Sequence, residues 1–360
     1  MSAITLFGAG RWGTALSAHL AAAGRDVTLW ARRPEVAEDM NRTRRHPSHL
    51  SDLPIPDAVT VTADVGTAAS AADMWGIAAP VPFLWEVAEQ LQPHVHDDVT
   101  VVSLSKGLDP NTLRTPSQVL ATVLEPLPPE QIGVLHGPSA PKEVGEQRPT
   151  TVVAAAPSPG TAQAIQTMFM TPHLRVYTNT DVPGVEVGGA TKNVLAIVTG
   201  LSDAAGYGDN VRASLITQGL AEIRRVGQAM GGRPDTVSGL SGVGDLIATC
   251  TNPNSRNRII GHQLGMGTPL HQARDEVDGV AEGIPTARAV YELATEHELN
   301  VPIMTAAYEL LFEDRAPDEM IQDLMTRPNE REHWLPDSLQ DAAPGSTISA
   351  PPPGPDAPTE

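Results

Sequence analysis

The sequence predicts an α/β fold, a doubly wound parallel sheet followed by an all-helical C-terminal domain. Three observations carry that expectation. Short β-branched runs alternate with helical stretches up to about Asp181, the texture of a parallel sheet covered on both faces. Beyond that point apolar residues recur with helical spacing. Near the N-terminus Gly8, Gly10 and Gly13 stand in the spacing G-x-G-x-x-G, between a strand-like and a helix-like run.

Ile4 to Phe7 make the first strand, and an alanine-rich helix runs from the glycine turn to near Gly24. "DVTLWARRP" supplies the second strand, stopped by Pro34. Further strands are expected at "VTVVSLS", "QIGVLHG", "TTVVAAA" and "LRVYTN", with a helix at "PFLWEVAEQLQP". The helical part comprises "GVEVGGATKNVLAIVTGL", "NVRASLITQGLAEIRRVGQAMG", "SRNRIIGHQLGMG", "IPTARAVYELATEHEL" and "PIMTAAYELLFE". The expected divisions are residues 1–183, 184–335 and a tail, 336–360. The tail is Pro-, Ser- and Asp-rich and buries too little to offset its ordering entropy, so disorder is expected there.

Composition narrows the function classes. The net charge of −19 is spread along the chain, which removes the basic footprint of a nucleic-acid binder. No run of apolar residues is long enough to insert in a membrane, and no signal-peptide pattern opens the chain. Cys250 is the only cysteine, which excludes a disulfide framework and fits a cytoplasmic home. An anionic ligand is repelled at long range by such a chain. Any anion site must therefore be built locally, from arginine, lysine and backbone N–H groups.

The glycine turn has the context that dinucleotide binding requires: a strand before it, a helix after it and a second strand beyond. Gly8 permits the tight turn, Gly10 lets the backbone approach a pyrophosphate, and Gly13 allows close helix–strand packing. The helix N-terminus offers free N–H groups to phosphates. The sheet is thus expected to be Rossmann-like. After the second strand come Arg32 and Arg33, where an NAD site often has an acidic residue. Two guanidinium groups suit a 2′-phosphate, so NADP(H) is favoured, with NAD(H) as second cofactor.

The chain has three lysines, Lys106, Lys142 and Lys192. Lys192 interrupts the apolar helix "GGATKNVLAIVTG" and shares a face with Gly188, Gly189, Leu195 and Ala196. The small residues leave room for a chain segment or a ligand against it. Partial burial there lowers a lysine's pKa toward the range useful for proton exchange. Read as a helix-surface lysine, it would instead send a snorkelling stem to water. Asp245 lies in a Gly-rich stretch read as a loop and could pair with a lysine. Asn254 or Ser255 caps a helix that starts with Arg256 and Asn257, a good phosphate receptor. Lys106 follows a buried strand, at the sheet end where ligands bind. Gly137 and Ser139 follow another strand, and Lys142 reads as a surface lysine. His94 and His96 lie in a Pro-flanked loop without further ligands, so no metal site is expected.

In order and spacing, "GAGRWGTAL", "SKGL", "GPS" with "KEV", "GGATKNVLAI", "GVGDL", "TCT", "SRNR" and "VAEG" resemble the bacterial-type NAD(P)-dependent glycerol-3-phosphate dehydrogenase family, up to about Phe312. The resemblance implies interconversion of dihydroxyacetone phosphate and sn-glycerol 3-phosphate, supplying phospholipid synthesis, by a homodimer. It implies Lys192 as catalytic acid/base. It implies substrate contacts from Lys106, Gly137, Ser139, Lys192, Asp245, Ser255, Arg256 and Asn257. It implies cofactor contacts from Gly8, Gly10, Arg11, Trp12, Gly13, Arg32, Arg33, Lys106, Pro141, Arg256, Val280 and Glu282, and from His49, where the family usually has an aromatic. Three departures cluster at the cofactor crevice: Arg11 in place of a small residue, Pro141 in place of alanine, and Val81 in place of serine, after "ADMWGIAAP". A β-hydroxyacid dehydrogenase is a rival. Relatives of that group tend to carry asparagine three or four residues after the helix lysine, where this chain has Leu195 and Ala196. A non-catalytic NADP(H)-binding sensor is the rival from another class.

Overall fold

The computed structural model describes residues 2–277, 279–313 and 315–327, so the expected tail 336–360 lies outside the described residues. Eight strands form one sheet: β1 (Ala3–Phe7), β2 (Asp26–Trp30), β3 (Val59–Thr62), β4 (Met74–Ile77), β5 (Thr100–Ser103), β6 (Ile132–His136), β7 (Thr150–Ala155) and β8 (Leu174–Asn179). Their order is β3-β2-β1-β4-β5-β6-β7-β8. The first six strands are parallel, and a helix intervenes between each consecutive pair of them. β7 departs from the all-parallel expectation. It runs antiparallel to β6, with Val134 opposite Ala155, and β8 follows it in parallel. The link between β6 and β7, residues 137–149, carries only the one-turn helix Pro141–Gly145, too little for a crossover back to the start of β6. β3 escapes sequence reading because it is short and sits at the edge, with alternating exposed residues.

After β8, Asp181 caps a helix, Val182–Ala204, that is buried along nearly its whole length. Burial on all sides explains its continuous apolarity. Helices Gly208–Ala229, Arg256–Gly265, Gly283–Glu296 and Pro302–Phe312 surround it. Sheet and helices up to Leu324 form one compact unit. One local reading is corrected: Asp245 is not in a loop. It opens the helix Asp245–Thr251, directly after a π-turn at Leu240–Gly244. Glycines 239, 242 and 244 look like loop residues, yet Gly242 is needed for packing. A Cβ on Gly242 would collide with the Val237 carbonyl.

Candidate active site

Strand order reverses between β1 and β4, so their C-terminal ends open a crevice. Gly8 to Gly10 leave β1 on one side, and Ala78, Ala79 and Pro80 leave β4 on the other, lining a cleft of about 460 Å³. Gly8 has φ +119°, and a Cβ there would stand 2.8 Å from the Ala78 carbonyl oxygen. Gly13 is not in the cleft. It lies against the Gly8 carbonyl, which lets the helix Arg11–Ala22 start tight on the turn. Gly10 faces the opening, with nothing within 4 Å of where a Cβ would be. Backbone without a side chain at a helix N-terminus is the cradle that a pyrophosphate requires.

Arg11 and Trp12 line the same end, and Trp12 Nε1 is buried without a hydrogen-bond partner. Arg32 lies over the Phe83 ring at 5.2 Å and reaches Glu86 at 3.4 Å. An adjoining cavity of about 150 Å³ is lined by Arg32, Arg33, His46 and His49, the two imidazoles stacked at 4.6 Å.

The other end is built on the Val182–Ala204 helix. Gly188 and Gly189 admit the Leu240–Gly244 turn and the His136 ring: a Cβ would come within 2.9 Å of the Ser241 carbonyl oxygen at one and 2.6 Å of His136 Nδ1 at the other. The room beside Lys192 is thus filled by chain, and the turn delivers Asp245. Lys192, buried, donates to Asp245 Oδ1, and Lys106 donates to Asp245 Oδ2 at 2.7 Å. Lys106 also donates to the Gly137 carbonyl at 2.9 Å and to Ser139 Oγ at 3.3 Å. Burial pushes the Lys192 ammonium down, Asp245 pulls it partly back, and Lys106 presses it down again, to about 8. Burial pushes the Asp245 carboxyl up, but the two lysines, Lys106 first, outweigh it and hold the group below its ordinary range.

Ser255 caps the helix Arg256–Gly265 by accepting from Arg258 N–H. Gly261 packs on the Ile197 carbonyl and Gly200 on the Arg258 carbonyl, so this helix lies directly on the Lys192 helix. Arg256 and Asn257 consequently line the cleft. The Asn257 amide donates to Asn193 Oδ1 at 3.0 Å and accepts from Gly283 N–H at 3.0 Å. Glu282 accepts from Val81 N–H at 3.2 Å, while its Oε2 is buried without a partner. Burial raises this carboxyl to about 7, against the opposing pull of Val81 N–H and Arg256.

Of the residues expected from sequence, Gly8, Gly10, Arg11, Trp12, Arg32, His49, Lys106, Ser139, Pro141, Lys192, Arg256, Asn257, Val280 and Glu282 line the one cleft. Gly13, Gly137, Asp245 and Ser255 stand behind it, shaping or holding residues that do, and Arg33 lines the adjoining cavity. Lys142 is on the surface beside Glu146. Sequence reasoning missed Phe83 and Asn193, which line the cleft, and His136, which is buried behind it against the Ser105 and Val185 carbonyls. The positions of Asn193, next to Lys192, and of His136, at the end of β6, were available signals. Phe83 had none. Among the described residues no group of His, Cys, Asp or Glu is placed to hold a metal ion. No described helix is long and apolar enough to cross a membrane.

Most of the chain matches known proteins. Residues 3–162 match the model of the NAD-dependent glycerol-3-phosphate dehydrogenase N-terminus, and residues 181–322 that of the C-terminus. A glycerol-3-phosphate dehydrogenase (NAD(P)+) of Salinibacter ruber is 54% identical, over 94% of this chain and all of the relative. That of Geobacter sulfurreducens is 44% identical, over 92% of this chain and 99% of the relative. The crystal structure of the Coxiella burnetii glycerol-3-phosphate dehydrogenase aligns with a TM-score of 0.86 at 33% identity, covering 91% of this chain and 99% of that one. With both halves of the family pattern matched over a common length, the chain belongs to the NAD-dependent glycerol-3-phosphate dehydrogenase family.

Proposed function

We propose that this chain reduces dihydroxyacetone phosphate to sn-glycerol 3-phosphate, and the reverse, with NADPH preferred over NADH, supplying phospholipid synthesis. The observation that carries the reading is the Lys106–Asp245–Lys192 cluster, placed between the glycine turn and the Ser255-capped helix. The glycine turn, Arg11 and Trp12 hold the dinucleotide diphosphate; Arg32, Arg33 and His49 hold the adenosine end with its 2′-phosphate. When bound, the nicotinamide supplies the hydride. Arg256 and the N–H groups of its helix hold the substrate phosphate, which fixes the carbonyl at the lysines. Lys106, anchored by Asp245, Gly137 and Ser139, presents positive charge to the carbonyl oxygen. Lys192 donates a proton to that oxygen as negative charge develops, and in reverse removes it from the hydroxyl. Asp245 keeps enough positive charge on Lys192 for it to act as an acid despite burial.

The test is NADPH absorbance with and without dihydroxyacetone phosphate. Substrate-dependent loss is expected, with greater catalytic efficiency for NADPH than NADH. No loss with either cofactor sinks the reading. Lys192→Ala is expected to lower turnover by ~10²–10⁴-fold while sparing cofactor affinity, the range of a lost proton-transfer group. From the family resemblance we further infer a cytoplasmic homodimer, to be checked by sedimentation.

A further inference from the structure

His136 closes β6 and is fully buried, yet the mechanism above does not use it. Its Nε2 lies 3.0 Å from the Ser105 carbonyl oxygen and its Nδ1 3.2 Å from that of Val185. Ser105 is the residue before Lys106. Val185 lies two turns before Lys192 on the same helix, and Gly189, one turn before it, has no side chain so that the ring can fit. The residue after His136, Gly137, gives its carbonyl to Lys106. One imidazole therefore touches the backbone that carries each lysine.

The charged groups acting on the ring are Lys106 and Asp245. Burial first, and then Lys106, push its pKa down to about 4, so at neutral pH it has one N–H to give to two carbonyls. Val185 is inside a helix, where its carbonyl has a partner one turn on. Ser105 is the nearer acceptor. We propose that His136, as the neutral Nε2–H tautomer, is a positioning residue that ties the Lys106 loop to the Lys192 helix and so sets the separation of the two lysines. This role rests on the reading of Lys192 as the proton-exchanging group. Lys106 and Asp245 are the charges that face Lys192. If the tie is cut and Lys106 recedes, Lys192 loses a repelling neighbour and holds its proton more tightly.

The experiment measures glycerol 3-phosphate oxidation by the full chain over about pH 6 to 10, where a neutral lysine is required. The unsubstituted enzyme shows a rising limb as Lys192 deprotonates. In His136→Asn, too short to span the gap, the limb moves up by ~0.5–1 pH unit, a ~3–10-fold loss of rate below it. KM for NADP+ is unchanged, and His136→Gln, whose amide N–H reaches further, recovers part of the shift. An unmoved limb in His136→Asn overturns the positioning role alone. A limb absent from the unsubstituted enzyme overturns the Lys192 reading, and this one with it. If His136→Asn does not fold, nitrogen NMR of the intact protein reads the ring directly. A neutral Nε2–H supports the proposal; an imidazolium or an Nδ1–H tautomer overturns it.

Discussion

Lys192 and Asp245 are each held away from their ordinary charge behaviour, and the two effects are coupled. In the proposed mechanism reduction uses the Lys192 ammonium, so its kcat is expected to fall as pH rises through about 8, while kcat for oxidation rises there. Profiles of both directions check the sign. Stability follows by linkage. The folded pKa lies below the ordinary 10.5, so the unfolded chain binds more protons between about 8 and 10.5. This group's cost to stability is fully present below about 8 and disappears as pH rises across that window. Asp245→Asn leaves two ammonium groups facing each other. Lys192 is then expected to lose its proton at lower pH, moving both profiles down. Breaking one partner of a buried ion pair typically costs about 3–5 kcal/mol, which denaturant unfolding measures. Unshifted profiles in Asp245→Asn would contradict the pairing. The sequence exposed the anomaly of a lysine in an apolar helix. It did not reveal that one carboxylate serves both lysines, because Lys106 and Asp245 are 139 positions apart.

Some helices in this fold are fastened at their N-termini by carboxylates from other elements. Glu186, on the Lys192 helix, accepts from Ser117 N–H at 2.9 Å and Ser117 Oγ at 2.5 Å, at the start of Pro116–Val123. Glu222 accepts from Ile303 N–H at 2.8 Å and Met304 N–H at 2.9 Å, at the start of Pro302–Phe312. These donors have no partner inside their own helix. Glu222→Ala is therefore expected to cost about 1–3 kcal/mol, seen as an earlier urea midpoint, with both KM values unchanged because the contact is remote from the cleft. A rise in substrate KM would show that this end of the bundle shapes the site. Periodicity made most of the long helices legible. It did not reveal their distant caps, nor the π-turn that aims Asp245, because both depend on what packs against the backbone.

Over the whole molecule, charge is distributed in opposition to the ligands. The chain carries −19, yet Arg11, Arg32, Lys106, Lys192 and Arg256 line the cleft, with Glu282 the acidic residue among them. Long-range repulsion of a phosphorylated substrate is screened as the Debye length shrinks from ~10 Å at 0.1 M salt to ~3 Å at 1 M, whereas contacts inside the cleft are screened less. KM for dihydroxyacetone phosphate is expected to fall as salt rises from low concentration. Steady-state kinetics over a salt series checks this; a monotonic rise in KM would mean that the cleft's own charges dominate at every distance.

What the sequence determined by itself is local: the glycine turn between strand and helix, the order of sheet and helices, the capped Arg256 helix and the out-of-place Lys192. Each of these is written in spacing along one short segment, where backbone sterics and side-chain periodicity act directly. The tertiary structure alone decided that β7 reverses, that the room beside Gly188 and Gly189 is filled by the Asp245 turn and His136, and that Asn257 is held between Asn193 and Gly283. Such features arise when segments far apart in the chain compete for the same few ångströms, a contest that no single stretch of residues records.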